Sequence, residues 1–355
     1  MITSLNILKP GRFVFMEQKL TKFKVAAVHA SPIYLNREET TEKACRLIVQ
    51  AGKEGAKLVA FPEAFIPGYP YWIWTHTPRD GAQFFFELFN NAVEIPSTTT
   101  NAIGNAAKKA GVHVVMGMTE VDGGTLYNTL LYFDDQGNIL GKHRKLQPTL
   151  AERVVWGRGD GSDLEVFDTS IGKISGLICW EHTMDLTRYA LATEGEQIHI
   201  AVWPGISAVT NDPNCEIFNS VAEAACKHHA VAAQTFVLSV FSPVAQDSIE
   251  ILGLADRPDM ITTGGGWTAI IGPNGQFING PHTGTEEKII YADIDLTDII
   301  RAKYACDSIG HYARPDVFQF KINRRKQMIV ENIYPNTCES TSTENKKEAD
   351  ELEQA

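Results

Sequence analysis

The chain has 355 residues, 44% of them hydrophobic, and a formal net charge of −11. That length is long for one average domain and short for two well-separated ones, and the apolar content suffices for a substantial core. The acidic balance argues against nucleic-acid and anionic-membrane partners, and no apolar run approaches the roughly 20 residues that a membrane-spanning helix needs.

Met1 to Leu20 carries Lys9, Arg12, Glu17 and Lys19, so it lacks the uninterrupted apolar stretch of a secretion signal. Residues 1–22 are read as an N-terminal extension. The segment Phe23–Ala30 reads as a buried strand, followed by an amphipathic helix from about Arg37 to Gly55. Lys57–Pro62 is a second strand with Glu63 just beyond its end, and an aromatic loop, Phe65-Ile-Pro-Gly-Tyr69-Pro-Tyr-Trp72, follows. Two helical stretches lead to a strand at Val112–Val121 with its turn at Asp122-Gly-Gly. Leu126–Phe133 and Ile139–Leu146 form a hairpin around Asp135-Gln-Gly-Asn, which puts Lys145 at the end of its second strand.

Lys173–Ile178 is a strand that delivers Cys179, and a helix near Leu186–Glu194 follows. Ile198–Trp203 reads as a strand and Cys215–Ala233 as a helix. A last β-rich block holds Trp267–Gly272, the turn Pro273-Asn-Gly and Lys288–Asp295. Strands alternating with helices, with hairpins between them, indicate a layered α/β fold. From Lys321 the character changes to basic, and from Cys338 to polar and acidic. Residues 321–355 are therefore read as a C-terminal extension with a disordered acidic tail from about 338.

The six cysteines (Cys45, Cys179, Cys215, Cys226, Cys306 and Cys338) show no C-x-x-C and no pairing rhythm. A reducing, cytoplasmic setting is expected, with most of them inert small hydrophobes. Glu63, Lys145 and Cys179 nevertheless share a topological address, since each follows a strand at the edge where loops of an α/β sheet converge. Singly, each has a bland reading as core filler or surface charge. Together they supply a base, a cation and a nucleophile. A thiol on a strand-to-turn junction, beside free N–H groups and an ammonium, is expected to favour the attacking thiolate. The setting is analogous to the nucleophile elbow of serine hydrolases without its G-x-S-x-G pattern. Glu63 is placed to take the thiol proton and activate water, and Lys145 to stabilise negative charge on the substrate nitrogen.

Phe61-Pro-Glu63-Ala-Phe65, Arg144-Lys145-Leu-Gln-Pro-Thr149 and Leu177-Ile-Cys179-Trp-Glu-His182 resemble the three motif blocks of the nitrilase superfamily. The true nitrilase branch is the nearer likeness. Its markers are Cys179-Trp180-Glu181-His182, the run from Glu152 through Trp156 to Ser162, and Gly310-His-Tyr-Ala-Arg-Pro-Asp316. The resemblance covers residues 23–320. It implies a four-layer αββα sandwich, with Glu63 as base, Lys145 as stabilising cation, Cys179 as nucleophile and Glu152 as a supporting glutamate. It further implies hydrolysis of an organic nitrile to acid and ammonia through a thioimidate and a thioester, with neither metal nor organic cofactor. Subunits are expected to pair through helices into homodimers that extend to larger oligomers or helical filaments. An amide-releasing hydratase, an amidase, or action on cyanide is the alternative, and a non-catalytic scaffold a more distant one.

Tyr69, Trp156, Trp180 and Trp203 adjoin these motifs, and the resemblance puts similar positions around the substrate; core packing is the competing explanation for each. The aromatic surroundings point to arylaliphatic or medium aliphatic nitriles. Three further signals carry less. Cys226-Lys-His228-His229 lies in a predicted helix without further ligands at zinc spacing. Gly157-Arg-Gly-Asp-Gly161 lacks the Lys-Ser/Thr of a phosphate-binding loop. Gly264-Gly-Gly suggests a bulge or a close backbone approach.

Overall fold

Successive side chains of a strand point to opposite faces, and Val25 to Val28 show what that does here. Val25 and Ala27 join one buried cluster, Ala26 and Val28 another, so this strand is covered on both sides. In the computed structural model, residues 21–327 are described, and those up to Arg324 form one unit.

The first half of the chain contains β1 (Lys22–His29), α1 (Arg37–Lys53), β2 (Ala56–Ala60), α2 (Trp72–Thr75), α3 (Pro78–Asn90), α4 (Thr98–Ala110), β3 (His113–Asp122), β4 (Thr125–Phe133) and β5 (Ile139–Arg144). The second half contains β6 (Phe167–Thr169), β7 (Gly172–Ile178), α5 (Asp185–Thr193), β8 (Ile198–Pro204), α6 (Pro213–Glu216), α7 (Phe218–Ala233), β9 (Phe236–Ser242) and α8 (Gln246–Ile251). It closes with β10 (Trp267–Ile271), β11 (Phe277–Thr283), β12 (Lys288–Asp295) and α9 (Thr297–Ala305).

The strands make two six-stranded sheets, in the orders β12-β1-β2-β3-β4-β5 and β11-β10-β9-β8-β7-β6. Each has a parallel centre, β1-β2-β3 or β7-β8-β9, flanked by antiparallel partners. The inner faces pack together: Val25, Leu58, Val115 and Tyr132 of one sheet share a cluster with Ile174, Ile178, Ile200 and Val202 of the other. Ala44 and Ile48 of α1 and Ile103 and Ala107 of α4 cover the outer face of the first sheet. Leu177 of β7 packs against Ala190 and Leu191 of α5 on the outside of the second. This is the four-layer αββα sandwich. Full burial of each such Ile or Val stabilises by about 1.5–3 kcal/mol.

Topology places the strand ends. Because β4 runs antiparallel to both β3 and β5, β5 points the same way as β2. Glu63 and Lys145 therefore leave the first sheet at one edge.

Several local features depart from the sequence reading, which did not anticipate β6, α8 or α9. Strand β5 stops at Arg144, so Lys145 opens the following loop. The helix expected from Cys215 is two, α6 and α7, separated at Ile217. Strand β9, fully buried in the middle of its sheet, was not anticipated. It follows directly on α7, whose left-handed stop is Gln234 (φ +51°) and not the glycine that signals most such ends. Among the described residues no helix is long and apolar enough to cross a membrane. The acidic tail expected from 338, like residues 1–20, lies outside the described residues.

Candidate active site

Cys179 directly follows the last residue of β7, Ile178, and starts a short 3₁₀ turn, Cys179–Thr183. Its φ is +56°, a left-handed conformation that costs a non-glycine residue about 1 kcal/mol or more. Glu181 pays for this geometry. Its carboxylate accepts from the Ile178 N–H at 2.8 Å, the Leu146 N–H at 2.7 Å and His143 Nε2 at 2.9 Å. One buried side chain thus ties the nucleophile turn to the loop that carries Lys145.

The Lys145 ammonium, wholly buried, lies 3.1 Å from Glu63 Oε1 and 2.7 Å from Glu152 Oε2. A carboxylate oxygen of Glu63, one of Glu152 and Cys179 Sγ all lie within 4.8 Å of one another. Glu152 is fully engaged: Oε2 also accepts the Thr149 N–H at 2.7 Å, and Oε1 accepts the Tyr69 hydroxyl at 2.9 Å. Glu63 is not. Its Oε1 accepts from Asn128 Nδ2 at 2.7 Å, while its buried Oε2 has no partner among the described residues.

The electrostatics separate the roles of these groups. Burial, assisted by the charge of Glu152, pushes the Glu63 carboxyl up to about 7 against the pull of Lys145 and Asn128. Burial alone would lower Lys145, but the surrounding Cys179, Glu152 and Glu63 hold it firmly protonated. Burial also pushes the Cys179 thiol well up; Glu63 and Glu152 add to this, while Lys145 and the Trp180 backbone N–H oppose it. The expected resting thiolate is therefore corrected to a resting thiol. Desolvation and two carboxylates outweigh one ammonium. The arrangement sets a carboxyl poised near neutrality beside a protonated thiol.

Above the sulfur is a small cavity, partly open to solvent, lined by Tyr69, Trp74, Leu150, Trp180, Ile206 and Phe218 together with Glu152 and Cys179. Of the four aromatic residues anticipated at the substrate, Tyr69 and Trp180 line it. Trp156 packs edge-on to Tyr69 at 5.7 Å and Trp203 stacks on His182 at 4.7 Å, and neither is part of the lining.

Residues 24–304 match the family model described as carbon-nitrogen hydrolase. The chain belongs to the carbon-nitrogen hydrolase family. It is 39% identical over 327 residues to a nitrilase of Bacillus sp. (strain OxB-1), covering 91% of this chain and 94% of that protein. It is 40% identical over 331 residues to an aliphatic nitrilase of Rhodococcus rhodochrous, covering 92% and 90%. Among solved structures, the carbon-nitrogen hydrolase of Helicobacter pylori G27 superposes with a TM-score of 0.67 at 22% identity, covering 83% of this chain and 96% of that one. That superposition supports the αββα fold.

Within this carbon-nitrogen hydrolase, sequence reasoning missed Asn128, His143 and the clamp role of Glu181. Asn128 had a readable signal, a lone amide within the apolar strand Leu126–Phe133. Glu181 had none, because its partners come from β5, β7 and the loop after β5. The glycine-rich loop has a structural use: the Gly159 N–H donates to the Lys145 carbonyl at 2.8 Å, and a Cβ there would meet the Arg144 oxygen at 2.2 Å. The Gly264-Gly-Gly run is a close approach, since a Cβ on Gly265 would fall 2.5 Å from the Gly205 oxygen.

Proposed function

We propose that this enzyme hydrolyses organic nitriles to carboxylic acid and ammonia, with Cys179 as nucleophile, Glu63 as base, Lys145 as stabilising cation and Glu152 as its anchor. The observation that carries the reading is the buried Glu63 carboxylate, which has an oxygen within 4.8 Å of Cys179 Sγ and whose Oε2 is without a partner among the described residues. Glu63 takes the thiol proton as sulfur adds to the nitrile carbon, and that proton passes to the nitrogen to give a thioimidate. A water deprotonated by Glu63 adds to the same carbon. Ammonia leaves with the returned proton, and a thioester remains. A second water, activated in the same way, releases the acid and restores the thiol. Lys145 supplies positive charge where the nitrogen and oxygen become electron-rich.

The lining of Tyr69, Trp74, Trp180 and Phe218 suits a substrate with an apolar body, arylaliphatic or medium aliphatic, over free cyanide. The relatives named nitrilase and aliphatic nitrilase support nitriles over amides as substrates. The test is a panel of aliphatic and arylaliphatic nitriles, the matching amides and cyanide, with acid, amide and ammonia quantified separately. Acid with equimolar ammonia from the nitriles supports the reading; amide as the main product, or cyanide turnover far above every organic nitrile, rejects it. The assembly implied by the family is a homodimer that extends into larger oligomers. The exposure of Leu186 and Tyr189 on α5 and of Val317 and Phe318 supports such contacts.

A further inference from the structure

Behind the nucleophile turn runs a buried chain of polar groups that the reaction above does not use. The Cys179 carbonyl lies 2.7 Å from His182 Nδ1, His182 Nε2 lies 2.8 Å from His199 Nε2, and His199 Nδ1 lies 2.5 Å from Glu196 Oε1. Glu196 also receives the Ser175 hydroxyl and, at 2.8 Å on Oε2, His229 Nε2. All of these side chains are buried.

Ligand atoms around a tetrahedral zinc stand about 3.3 Å apart, whereas Glu196 meets His199 and His229 at hydrogen-bond lengths of 2.5 and 2.8 Å.

The proton count decides what the chain is. The three links between the Cys179 carbonyl and Glu196 each need one proton, and two neutral imidazoles carry two. One extra proton is therefore held in the chain. Glu196, despite burial, is kept well below the usual carboxylate range by His199 and His229, so it is the anion that balances this proton. Burial, with the neighbouring His199 and Arg188, drives His182 well below its ordinary value, and burial takes His229 down to about 4. A carbonyl oxygen can only accept, so His182 Nδ1 carries a proton and donates to Cys179, and the other two protons bridge His182 to His199 and His199 to Glu196.

The Cys179 carbonyl and the Trp180 N–H belong to one planar peptide unit and point in opposite directions. A donor that holds the carbonyl from behind therefore aims the N–H forward, and this N–H is among the groups that oppose the upward shift of the Cys179 thiol. We propose that Glu196 and His199, acting through His182, are positioning residues that lock the Cys179–Trp180 peptide so that its N–H stabilises the nitrogen of a substrate joined to the sulfur. The proposal rests on the nitrilase reading of Cys179 and deepens it. Hydrogen bonds in such a chain polarise one another, so the extra proton held in it also strengthens the Trp180 donor.

The test compares His182→Ala with His182→Asn, whose Nδ2 occupies the place of the histidine Nδ1 and can still donate to the carbonyl. For His182→Ala, kcat is expected to fall about 100-fold with KM nearly unchanged, the pattern of a lost transition-state donor, and His182→Asn to recover at least about tenfold of it. Equal losses in the two variants, or a loss confined to KM, overturn the proposal. Nitrogen-15 spectroscopy of histidine-labelled wild-type protein provides the reading that no folding defect can obscure. Three ring N–H protons on His182 and His199 together are expected, and two overturn the count. Failure of the nitrilase reading shows separately, as a wild-type enzyme that forms no Cys179 adduct with a nitrile.

Discussion

The Asn128 side-chain amide donates to Glu63 Oε1 at 2.7 Å, and that contact leaves Oε2 as the carboxylate oxygen without a partner among the described residues. The Asn128 main-chain oxygen also accepts the Lys145 N–H at 2.8 Å, so one residue of β4 places both the base and the cation. Because the amide bond lowers the Glu63 pKa, Asn128→Ala is expected to raise it further. The acid limb of the kcat/KM profile then moves to higher pH. A hydrogen bond to a charged group contributes about 1.5–3 kcal/mol, so activity at neutral pH should drop by about tenfold or more. A pH–rate profile of the variant checks both direction and size.

Glu63 makes activity and stability respond to pH in opposite ways. As a base it must be ionised, so activity falls as pH drops through about 7. Its folded pKa is raised above the ordinary 4.5, so its contribution to stability is complete below that value and is lost as pH rises through about 7. Glu63→Gln removes this titration. Activity should fall by about 100-fold or more, while Tm gains on wild type at alkaline pH relative to acid pH. Parallel Tm curves for the two proteins would show that Glu63 does not ionise with a raised pKa.

Lys145→Ala deletes the ammonium and leaves Glu63 and Glu152 facing each other in the interior. A loss of about 3–5 kcal/mol in stability is expected from an uncompensated buried charge, together with a rate loss of about 100-fold or more. Denaturant titration beside an activity assay separates the two effects.

The Glu181–His143 pair makes a distinct pH prediction. Burial opposes the charge on each, yet each partner holds the other ionised: Glu181 is lowered and His143 raised. The Glu181 contribution is present above about 4.5 and lost as pH falls through its depressed value. The His143 contribution is present below about 6.5 and lost as pH rises through its elevated value. Glu181→Ala should therefore cost about 3–5 kcal/mol, most of it between those limits. Stability of the two proteins measured across that range is the check.

Assembly is tested at the C-terminal segment. Val317 and Phe318 are exposed, whereas Phe320 and Ile322 pack against the Leu177–Leu191 cluster of their own chain. Val317→Ser with Phe318→Ser is expected to shrink the oligomer in light scattering without unfolding the subunit. Deletion of Cys338–Ala355, whose copies repel one another, should leave oligomer size and activity nearly unchanged.

The parts of the site legible in the sequence were those fixed by strand ends. Glu63, Lys145 and Cys179 each follow an apolar run with β periodicity, and parallel strand directions bring such ends to one edge. The parts that were not legible depend on side chains meeting across elements. The Glu181 clamp, the Asn128 bridge and the His182–His199–Glu196 chain join residues whose spacing carries no signal of contact. The reactivity of Cys179 was misjudged for the same reason. A count of nearby cations cannot weigh the burial that raises its pKa. Strand β9 was lost because the stop signal before it, Gln234 in a left-handed conformation, is not the residue type that usually marks a helix end.

The most direct test of the account is peptide-mapping mass spectrometry of enzyme quenched in acid during turnover of an arylaliphatic nitrile such as phenylacetonitrile. The account predicts an acyl or imidoyl adduct on the Cys179 peptide alone, absent from Cys179→Ala, which should fold normally and lose at least about 10⁴-fold in kcat. Acid and ammonia produced with no adduct on Cys179, or undiminished turnover by Cys179→Ala, would contradict it.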